Sequence, residues 1–563
     1  MRKLFCACLC SLFWVTARSQ STNIPLNKDT YHWIDRFEIK KGTLNEEFQS
    51  EIKPYTRKAI GRFTDSLAID ESSYSLQDRA NLRYLLEDNW EWASDARTKN
   101  LRGVWNALYK KRSDFFQYQD QQKIFQVHVN PVLYLSYGGE SDRNLSTYTN
   151  TRGIQIRGMI DNKVGFYTFL GENQARFPGY VRDYILDKSV VPGEGFWKNF
   201  GTQGNDFFTA TGYISFNVTK HINFQLGHDR QYWGNGYRSM VLSDFSPPSL
   251  FLKINTHIWK LNYTNLFTQV FADAFGRRGA SISGTKFPKK YMVAHRLGMN
   301  IGKHVNLGIY EQVVFGREDL QGNNHFSLTY LNPIIFYRSV EQQNGSTDNS
   351  FLGIDAKWNF LNQFSLYGQW IFDELIIKEF INRTGWWGNK FGYQLGLKYI
   401  DAFRINNLDL QLEFNSARPY TYSHRSIYSS YDNYRQPLAH PLGANFKEFI
   451  SIVRYQPLPK LSIYGKIIRT TYGLDTLGVN FGNDILKNYD TREQDFGNFT
   501  GQGVSTQLTF LDLVATYQLY HNLFIDLNTV YRKQTSELAR FENESFIYSL
   551  ALRWNIARRL QEF

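Results

Sequence analysis

The stretch Phe546-Ile547-Tyr548-Ser549-Leu550-Ala551-Leu552-Arg553-Trp554-Asn555-Ile556 decides the fold of this chain. Large apolar or aromatic side chains occupy every second position from Phe546 to Ile556, and they alternate with residues that are mostly small or polar. Residues two apart share one face of a β-strand, so one face of this strand is apolar. The pattern predicts a strand whose Phe546-to-Ile556 face points toward lipid.

The same alternation recurs from about residue 123, in pairs of segments that are joined by tight turns and separated by long, polar, aromatic-rich stretches. Tight turns at one end and long loops at the other are typical of a transmembrane β-barrel. The predicted turns are 161–163, 219–221, 256–258, 302–304, 361–363, 403–407, 457–460 and 520–522. With both termini on the turn side, they predict an all-β barrel of about eighteen antiparallel strands. Sixteen is the alternative if the pattern near His257 continues as one strand.

The composition limits the class of protein. The chain has 563 residues, a mean hydropathy of −0.45 and 17% aromatic residues. After the N-terminus we find no apolar run long enough for a membrane-spanning helix, which excludes helical spans but not a barrel. The net charge of +12 favours adhesion to an anionic outer leaflet, or binding of an acidic polysaccharide. The charges are too dispersed to indicate nucleic-acid binding.

The N-terminal region divides into two parts. Residues 1–20 resemble a secretory signal peptide, and they contain all three cysteines, Cys6, Cys8 and Cys10. Disulfides and cysteine–metal sites are therefore not expected in the mature chain. Residues 21–122 predict a small helical domain, in which Ser75 begins a capping box. We expect this domain in the periplasm, at the turn end of a barrel that comprises residues 123–563.

The predicted outward loops are long, which is usual for functional loops. They are residues 140–148, 171–207, 232–249, 272–291, 316–351, 373–389, 416–445, 472–503 and 532–545. A barrel of this width leaves an aqueous channel unless something fills it. The Trp233–Gly236 segment has glycines that permit a sharp fold. We therefore predict that the loop at 232–249 folds inward and plugs the pore, with Asp229 and Arg230 forming a charge pair in the lumen.

Two blocks of sequence carry a family resemblance. The first is Asp229-Arg230-Gln231-Tyr232-Trp233-Gly234-Asn235-Gly236, followed by Ser239-Met240-Val241-Leu242-Ser243 and the pair Pro247-Pro248. The second is Tyr330-Leu331-Asn332-Pro333-Ile334-Ile335-Phe336-Tyr337-Arg338, followed by Gly345-Ser346 and Asp348-Asn349. These blocks resemble the Wzi-type capsule-assembly outer-membrane proteins, a family that includes related gliding-motility outer-membrane barrels. The resemblance implies a loop-plugged barrel with a periplasmic helical bundle, acting as a surface lectin.

The candidate site residues come from these two blocks, and two interpretations stay open. They could pack in the lumen as a plug, or they could contact glycan directly, with aromatic rings for stacking and arginines for carboxylates. The candidates are Asp229, Arg230, Tyr232, Trp233, Asn235, Tyr237, Arg238, Asn332, Tyr337, Arg338 and Asn349.

No catalytic or metal-binding motif is found in the sequence, so we predict neither an enzyme nor a cofactor. We expect a Gram-negative outer-membrane barrel that binds or organises surface polysaccharide or lipopolysaccharide and contacts outer-membrane lipids. One alternative is an interaction component of a gliding-motility or secretion assembly, with other outer-membrane or periplasmic proteins as partners. A passive porin, which needs an open lumen, is the other.

Overall fold

The computed structural model describes residues 21–94, 113–122, 124–143, 145–272, 288–316, 326–335, 348–476 and 478–563 of the chain. Within these residues, eighteen antiparallel strands close into one barrel, which confirms the predicted fold class and strand number. The barrel closes where the last strand pairs with the first, with Trp554 opposite Leu133 and Ile547 opposite Glu140. The predicted signal peptide, residues 1–20, lies outside the described residues.

The barrel strands follow one another in chain order around the wall. They are β1 (Phe125–Glu140), β2 (Leu145–Ile160), β3 (Val164–Arg176), β4 (Gly204–Asn217), β5 (Ile222–Asp229), β6 (Ser249–Ile258), β7 (Leu261–Phe271), β8 (Lys289–Ile301), β9 (Val305–Phe315), β10 (Asn349–Phe360), β11 (Phe364–Glu374), β12 (Lys390–Tyr399), β13 (Leu408–Ala417), β14 (Phe446–Leu458), β15 (Leu461–Leu474), β16 (Val504–Tyr520), β17 (Leu523–Ser536) and β18 (Asn543–Trp554). The described residues also contain α1 (Thr30–Lys41), α2 (Arg57–Leu67), α3 (Leu76–Asp88), α4 (Gly179–Lys188) and α5 (Ile377–Ile381). No helix of the described part is long and apolar enough to cross a membrane.

Two boundaries differ from those expected from sequence. The turn expected at 256–258 lies two residues later, because β6 continues to Ile258 and the chain reverses at Trp259 and Lys260. Trp259 takes the positive φ of 55° that the reversal needs. The strand count is unaffected. In addition, the short strand Phe116–Gln119, inside the segment expected to be helical, already pairs with β1.

The alternation in β18 sorts its side chains as the sequence predicts. Phe546, Tyr548 and Leu550 are exposed on the outer wall, whereas Ile547 and Ala551 are buried on the inner face. The outward face of the neighbouring strand carries Leu527, opposite Leu550 and likewise exposed. Exposed apolar residues on adjoining strands form the lipid-facing surface of an outer-membrane barrel.

Replacing Leu550 with Arg should therefore destabilise the barrel by about 2–4 kcal/mol, provided that the residue lies near the bilayer midplane. The charge would be placed in hydrocarbon with no partner. Unfolding in urea after reconstitution into lipid vesicles measures the change. Leu538→Arg, in the loop after β17, is the control and should change stability little. Equal stability of the two variants would contradict the assigned facing.

The helix α3 begins where the sequence predicts, after Ser75, whereas α2 begins at Arg57, after Thr56. The Thr56 side chain accepts a hydrogen bond from the backbone N–H of Ala59 at the start of α2, and Ser75 accepts one from Asp78 at 3.0 Å at the start of α3. Both caps satisfy backbone N–H groups that a helix leaves unpaired. The buried faces of α1 to α3 form one apolar cluster around Phe37, Ile60, Phe63, Leu82 and Leu85.

A network of charges fixes these helices to the turn end of the barrel. Arg36 donates to Asp78 of α3 at 2.9 Å and to Asp401, in the turn after β12, at 2.5 Å, and it also contacts Asp409 of β13. Lys40 lies between the same Asp78 and Asp401 carboxylates. Because Arg36 is buried, its three carboxylate partners hold it in place and tie α1 to the barrel wall.

The contact between the helices and the barrel should weaken in acid. Burial alone would raise the pKa of Asp78, but the hydrogen bonds and charges of Arg36 and Lys40 outweigh it and lower the pKa to about 2. Since the folded pKa lies below the unfolded value of about 3.9, the stabilisation is complete above about pH 4 and is lost as pH falls toward 2. Hydrogen exchange of α1 and α3 amides against pH measures this. Asp78→Asn should abolish this component of the acid transition; an identical transition in the variant would exclude Asp78 as its cause.

The chain does not end at the wall after β18. Residues 555–563, which we call the lumenal tail, run into the interior of the barrel. Arg559 hydrogen-bonds Asn173 on the inner face of β3, and the Glu562 carboxylate accepts from the Tyr237 hydroxyl at 2.5 Å. The ring of Phe563 lies 4.6 Å from that of Tyr184 in α4. The lumen therefore holds the tail as well as a loop.

Candidate functional site

The loop between β5 and β6, residues 230–248, folds into the barrel as predicted, and we call it the plug loop. Its Trp233 is only 1% exposed and packs in the main apolar cluster with inward-facing residues such as Leu266 of β7 and Met292 of β8. Trp233 also pairs with Ile52 of the N-terminal segment, and the Gly234 N–H donates to the Glu51 carbonyl at 2.7 Å. The loop is thus held between the wall and the N-terminal segment.

The glycines of the plug loop allow a close approach to the wall. A Cβ atom on Gly234 would lie 2.9 Å from the amide nitrogen of Gln369, and one on Gly236 would lie 2.5 Å from the amide oxygen of Gln394. Gln369 and Gln394 occupy inward-facing positions of β11 and β12, respectively. The Gln369 amide meanwhile donates to the Trp233 carbonyl at 2.9 Å. Larger residues at either glycine would push the loop off the wall.

A buried carboxylate on β13 anchors the middle of the plug loop. Glu413 accepts hydrogen bonds from the backbone N–H groups of Tyr237 at 2.6 Å and Arg238 at 2.9 Å. The Tyr367 hydroxyl donates to the same carboxylate at 2.7 Å. Carboxylates that accept several hydrogen bonds are strongly held in place, so Glu413 fixes the backbone of the loop.

The loop between β13 and β14 braces the plug from the other side. The hydroxyl groups of Tyr422 and Tyr431 each donate at 2.7 Å to a carbonyl of the plug loop, of Met240 and Val241 respectively. Tyr422 and Tyr431 are 1% exposed. The two loops therefore lock together inside the barrel, and the residues in contact are not available as a surface in this structure.

One prediction about this loop is wrong. Asp229 and Arg230 do not pair through their side chains: the Asp229 carboxylate accepts a hydrogen bond from the Arg230 backbone N–H at 2.8 Å. The Arg230 guanidinium instead lies 3.3 Å from Glu194, in the loop between β3 and β4. Arg230 therefore pairs with a residue that is distant in sequence.

The other candidates of the first block are also enclosed. The Tyr232 hydroxyl lies 2.7 Å from the carbonyl groups of Gly236 and Arg238, which closes the turn of the loop. Asn235 donates to the Glu51 carboxylate at 2.6 Å. Arg238 donates to the Glu562 carbonyl at 2.7 Å. These residues hold the plug, the N-terminal segment and the lumenal tail together.

The second block does not join the first. Segment 326–335 lies against the outer wall, where the Tyr330 ring stacks on Phe315 at 4.1 Å and covers Val313 and Phe267. Asn332 is in this segment and caps its own turn by accepting from the Ile334 N–H at 3.1 Å. Asn349 begins β10 and is buried. Tyr337 and Arg338 lie outside the described residues.

A surface that sequence reasoning missed lies at the loop end of the barrel. Trp387 is half-buried, its ring lies 4.9 Å from that of Tyr489, and the Arg492 guanidinium sits 4.1 Å from the indole. Phe496 and Phe499, in the same loop as Tyr489, are 56% and 62% exposed. We call these five residues the loop-end platform.

Backbone hydrogen bonds give the platform a fixed shape. Two loops far apart in sequence supply it, 375–389 and 475–503, and they join where the Trp387 N–H donates to the Asp495 carbonyl at 2.8 Å. The Asn498 N–H donates to the Gly385 carbonyl, also at 2.8 Å. The adjacent pair Trp386-Trp387, in a predicted outward loop, is a sequence signal that indicates this surface.

The chemistry of the two regions differs. Exposed and half-exposed aromatic rings can stack on sugar faces, whereas the fully buried Trp233 cannot stack on a ligand in this conformation. The Arg492 guanidinium is paired with the Asp495 carboxylate at 2.6 Å, which fixes it over the indole. Among the described residues, no group of three or more His, Cys, Asp or Glu side chains could hold a metal ion. The loop-end platform is therefore the better candidate binding surface.

Comparison with known proteins agrees with this architecture. The family model for the capsule assembly protein Wzi matches residues 140–535. The solved structure of Escherichia coli Wzi, described as an outer-membrane protein of group 1 capsule assembly and a carbohydrate-binding β-barrel, is 12% identical, with a TM-score of 0.54 over 96% of this chain and 100% of that one. No curated protein matches the sequence.

Two further barrels are similar in outline. Pseudomonas aeruginosa OprD is 10% identical over 76% of this chain and 94% of its own, with a TM-score of 0.41. Acinetobacter baumannii OccAB2 is 8% identical over 76% of this chain and 97% of its own, also with a TM-score of 0.41.

The family match covers well over half of the chain, and the fold is that of a closed, plugged outer-membrane barrel. The chain therefore belongs to the Wzi family of capsule-assembly outer-membrane proteins.

Proposed function

We propose that this barrel retains surface polysaccharide at the outer face of the membrane through the loop-end platform, as a lectin and without catalysis. Membership of the capsule-assembly family supports the ligand class, and the carbohydrate binding described for the Escherichia coli protein agrees with it. The observation that carries the proposal is the exposure of Phe496 and Phe499 in the loop whose Asp495 carbonyl accepts from the Trp387 N–H. Because bacterial single-chain barrels keep their long loops outside the cell, this surface faces the cell exterior.

The orientation of the barrel in the membrane is a second part of the proposal. Bacterial single-chain barrels keep their short turns in the periplasm and their long loops outside. The helices α1 to α3 contact the short turns, as the bond between Ser75 and Asn407 illustrates at 2.6 Å. We infer that the helical segment is periplasmic and caps the pore from within. A lumen filled by the plug loop and the lumenal tail does not support the porin alternative.

Replacing Trp387 and Phe499 with Ala should lower the affinity for polysaccharide about tenfold or more, since stacking aromatics dominate such contacts. The measurement is binding of the purified barrel, in detergent, to polysaccharide isolated from the surface of the source bacterium. Trp259→Ala is the matched control, because Trp259 is 73% exposed in a tight turn at the opposite end. Unchanged affinity in the platform variant, or equal loss in the control, would exclude the platform as the binding surface.

A further inference from the structure

A chamber of about 400 Å³ remains inside the barrel, between the plug loop, the N-terminal segment and the lumenal tail. Its size falls within the range of about 300–1,000 Å³ that small-molecule sites occupy. The chamber adjoins a cleft among the tight turns, because Asp29, His32, Arg454, Tyr464 and Arg558 line both. The chamber and the cleft are therefore adjacent, separated by these side chains.

Arginine side chains line this chamber with unused hydrogen-bond donors. The Nε atoms of Arg230, Arg238 and Arg559 and the Nη1 atom of Arg558 are buried and have no hydrogen-bond partner among the described residues. The Arg238 side chain is only 10% exposed, so water reaches it poorly. A buried donor without an acceptor costs free energy, and a side-chain rotation that turns the guanidinium toward a ligand oxygen would satisfy it.

The lining of the chamber carries more positive than negative side chains, eight lysines and arginines against six aspartates and glutamates. Of these, Arg558 lies 3.6 Å from the Asp29 carboxylate. Arg230 and Arg559 share a single carboxylate, that of Glu194, at 3.3 and 3.4 Å. Lys28 and Lys53 line the same space, and among the described residues neither amine has an ion-pair partner; Lys53 donates to the Gly234 carbonyl at 3.1 Å. Burial lowers the pKa of both amines to about 8, which a nearby anion would reverse.

We propose that the lumenal chamber binds a carboxylate-bearing sugar, a uronic acid unit of one or two rings. The guanidinium groups of Arg230, Arg558 and Arg559 would hold the carboxylate, because their paired N–H groups match its two oxygens. Tyr167 and Tyr464, which also line the chamber, offer aromatic surface for the ring. This site lies inside the barrel and is separate from the loop-end platform, so it goes beyond the surface binding proposed above.

Isothermal titration of the full-length barrel in detergent tests the site directly, with D-glucuronate as the probe. We expect saturable binding of glucuronate and none of glucose, which has the same ring without the carboxylate. The double variant Arg558→Gln/Arg559→Gln should weaken glucuronate binding about tenfold or more. Arg540→Gln, an exposed arginine stacked on Phe541, is the matched control and should bind as the wild type does.

Three results would overturn the proposal: no saturable binding of glucuronate to the wild type, equal binding of glucose, or tighter binding of inorganic phosphate. If the double variant fails to fold, binding of glucuronate, glucose and inorganic phosphate to the wild type still tests the proposal. The proposal for the lumenal chamber and the proposal for the loop-end platform can be contradicted separately. Trp387→Ala should retain glucuronate binding in the chamber, and the folded arginine variant should retain polysaccharide binding at the platform.

Discussion

Replacing residues 233–243 with a short Gly-Ser linker should open the barrel and raise its single-channel conductance in planar bilayers well above that of the wild type. An eighteen-stranded barrel is wide enough for an aqueous channel, and these residues fill its apolar centre with Trp233, Met240, Val241 and Leu242. Their removal leaves a space that water would fill, because polar inward residues such as Gln369 and Glu413 would hydrogen-bond to it. The lumenal tail and α1 to α3 remain and keep the channel narrower than an empty barrel.

The control for this deletion is a shortened loop 537–542, which lies between β17 and β18 and should leave the conductance unchanged. Heat-modifiable migration on gels establishes that both variants are folded barrels. A folded deletion variant with wild-type conductance would show that the plug loop does not close the pore.

Replacing Trp233 with Ala should destabilise the protein by about 3–5 kcal/mol, the usual cost of removing a fully buried large aromatic side chain. The ring is enclosed by inward-facing residues of the wall and by Ile52, so little rearrangement can fill the cavity. Urea unfolding in lipid vesicles measures the loss. Trp259→Ala, on an exposed ring, should change stability by no more than about 0.5 kcal/mol.

The Trp233→Ala variant also shows whether Trp233 only packs in the lumen or contacts the ligand. Because Trp233 is enclosed, we expect its folded Ala variant to bind polysaccharide as tightly as the wild type does. Wild-type stability together with lost polysaccharide binding would mean that Trp233 is a stacking surface and that the plug loop opens in solution.

Much of this fold can be predicted from local patterns. The alternation in β18 sets which side chains face lipid, and Ser75 with Asp78 predicts the start of α3, because both signals depend on residues within a few positions of one another. The two glycines near Trp233 likewise indicate a loop that can approach the wall. The turn near His257 lies two residues later than the sequence predicts, because the alternation continues to Ile258.

The contacts that make the site could not be predicted in the same way. Arg230 meets Glu194 across two loops, and Trp387 meets Tyr489 across about one hundred residues, so no spacing in the sequence reveals either pair. The family motifs place Asn332 in one group with Trp233, yet the segment of Asn332 lies on the outer wall. Tertiary packing, rather than local pattern, decides these positions.

The most direct test of the proposed function is the partition of polysaccharide between cells and medium in a strain that lacks this chain. The strain should make the same total amount of surface polysaccharide but release most of it into the medium. Wild-type protein, and the Trp259→Ala variant, should restore retention, whereas Trp387→Ala/Phe499→Ala should not. Polysaccharide that stays on the cell surface without this barrel would contradict its role in retention.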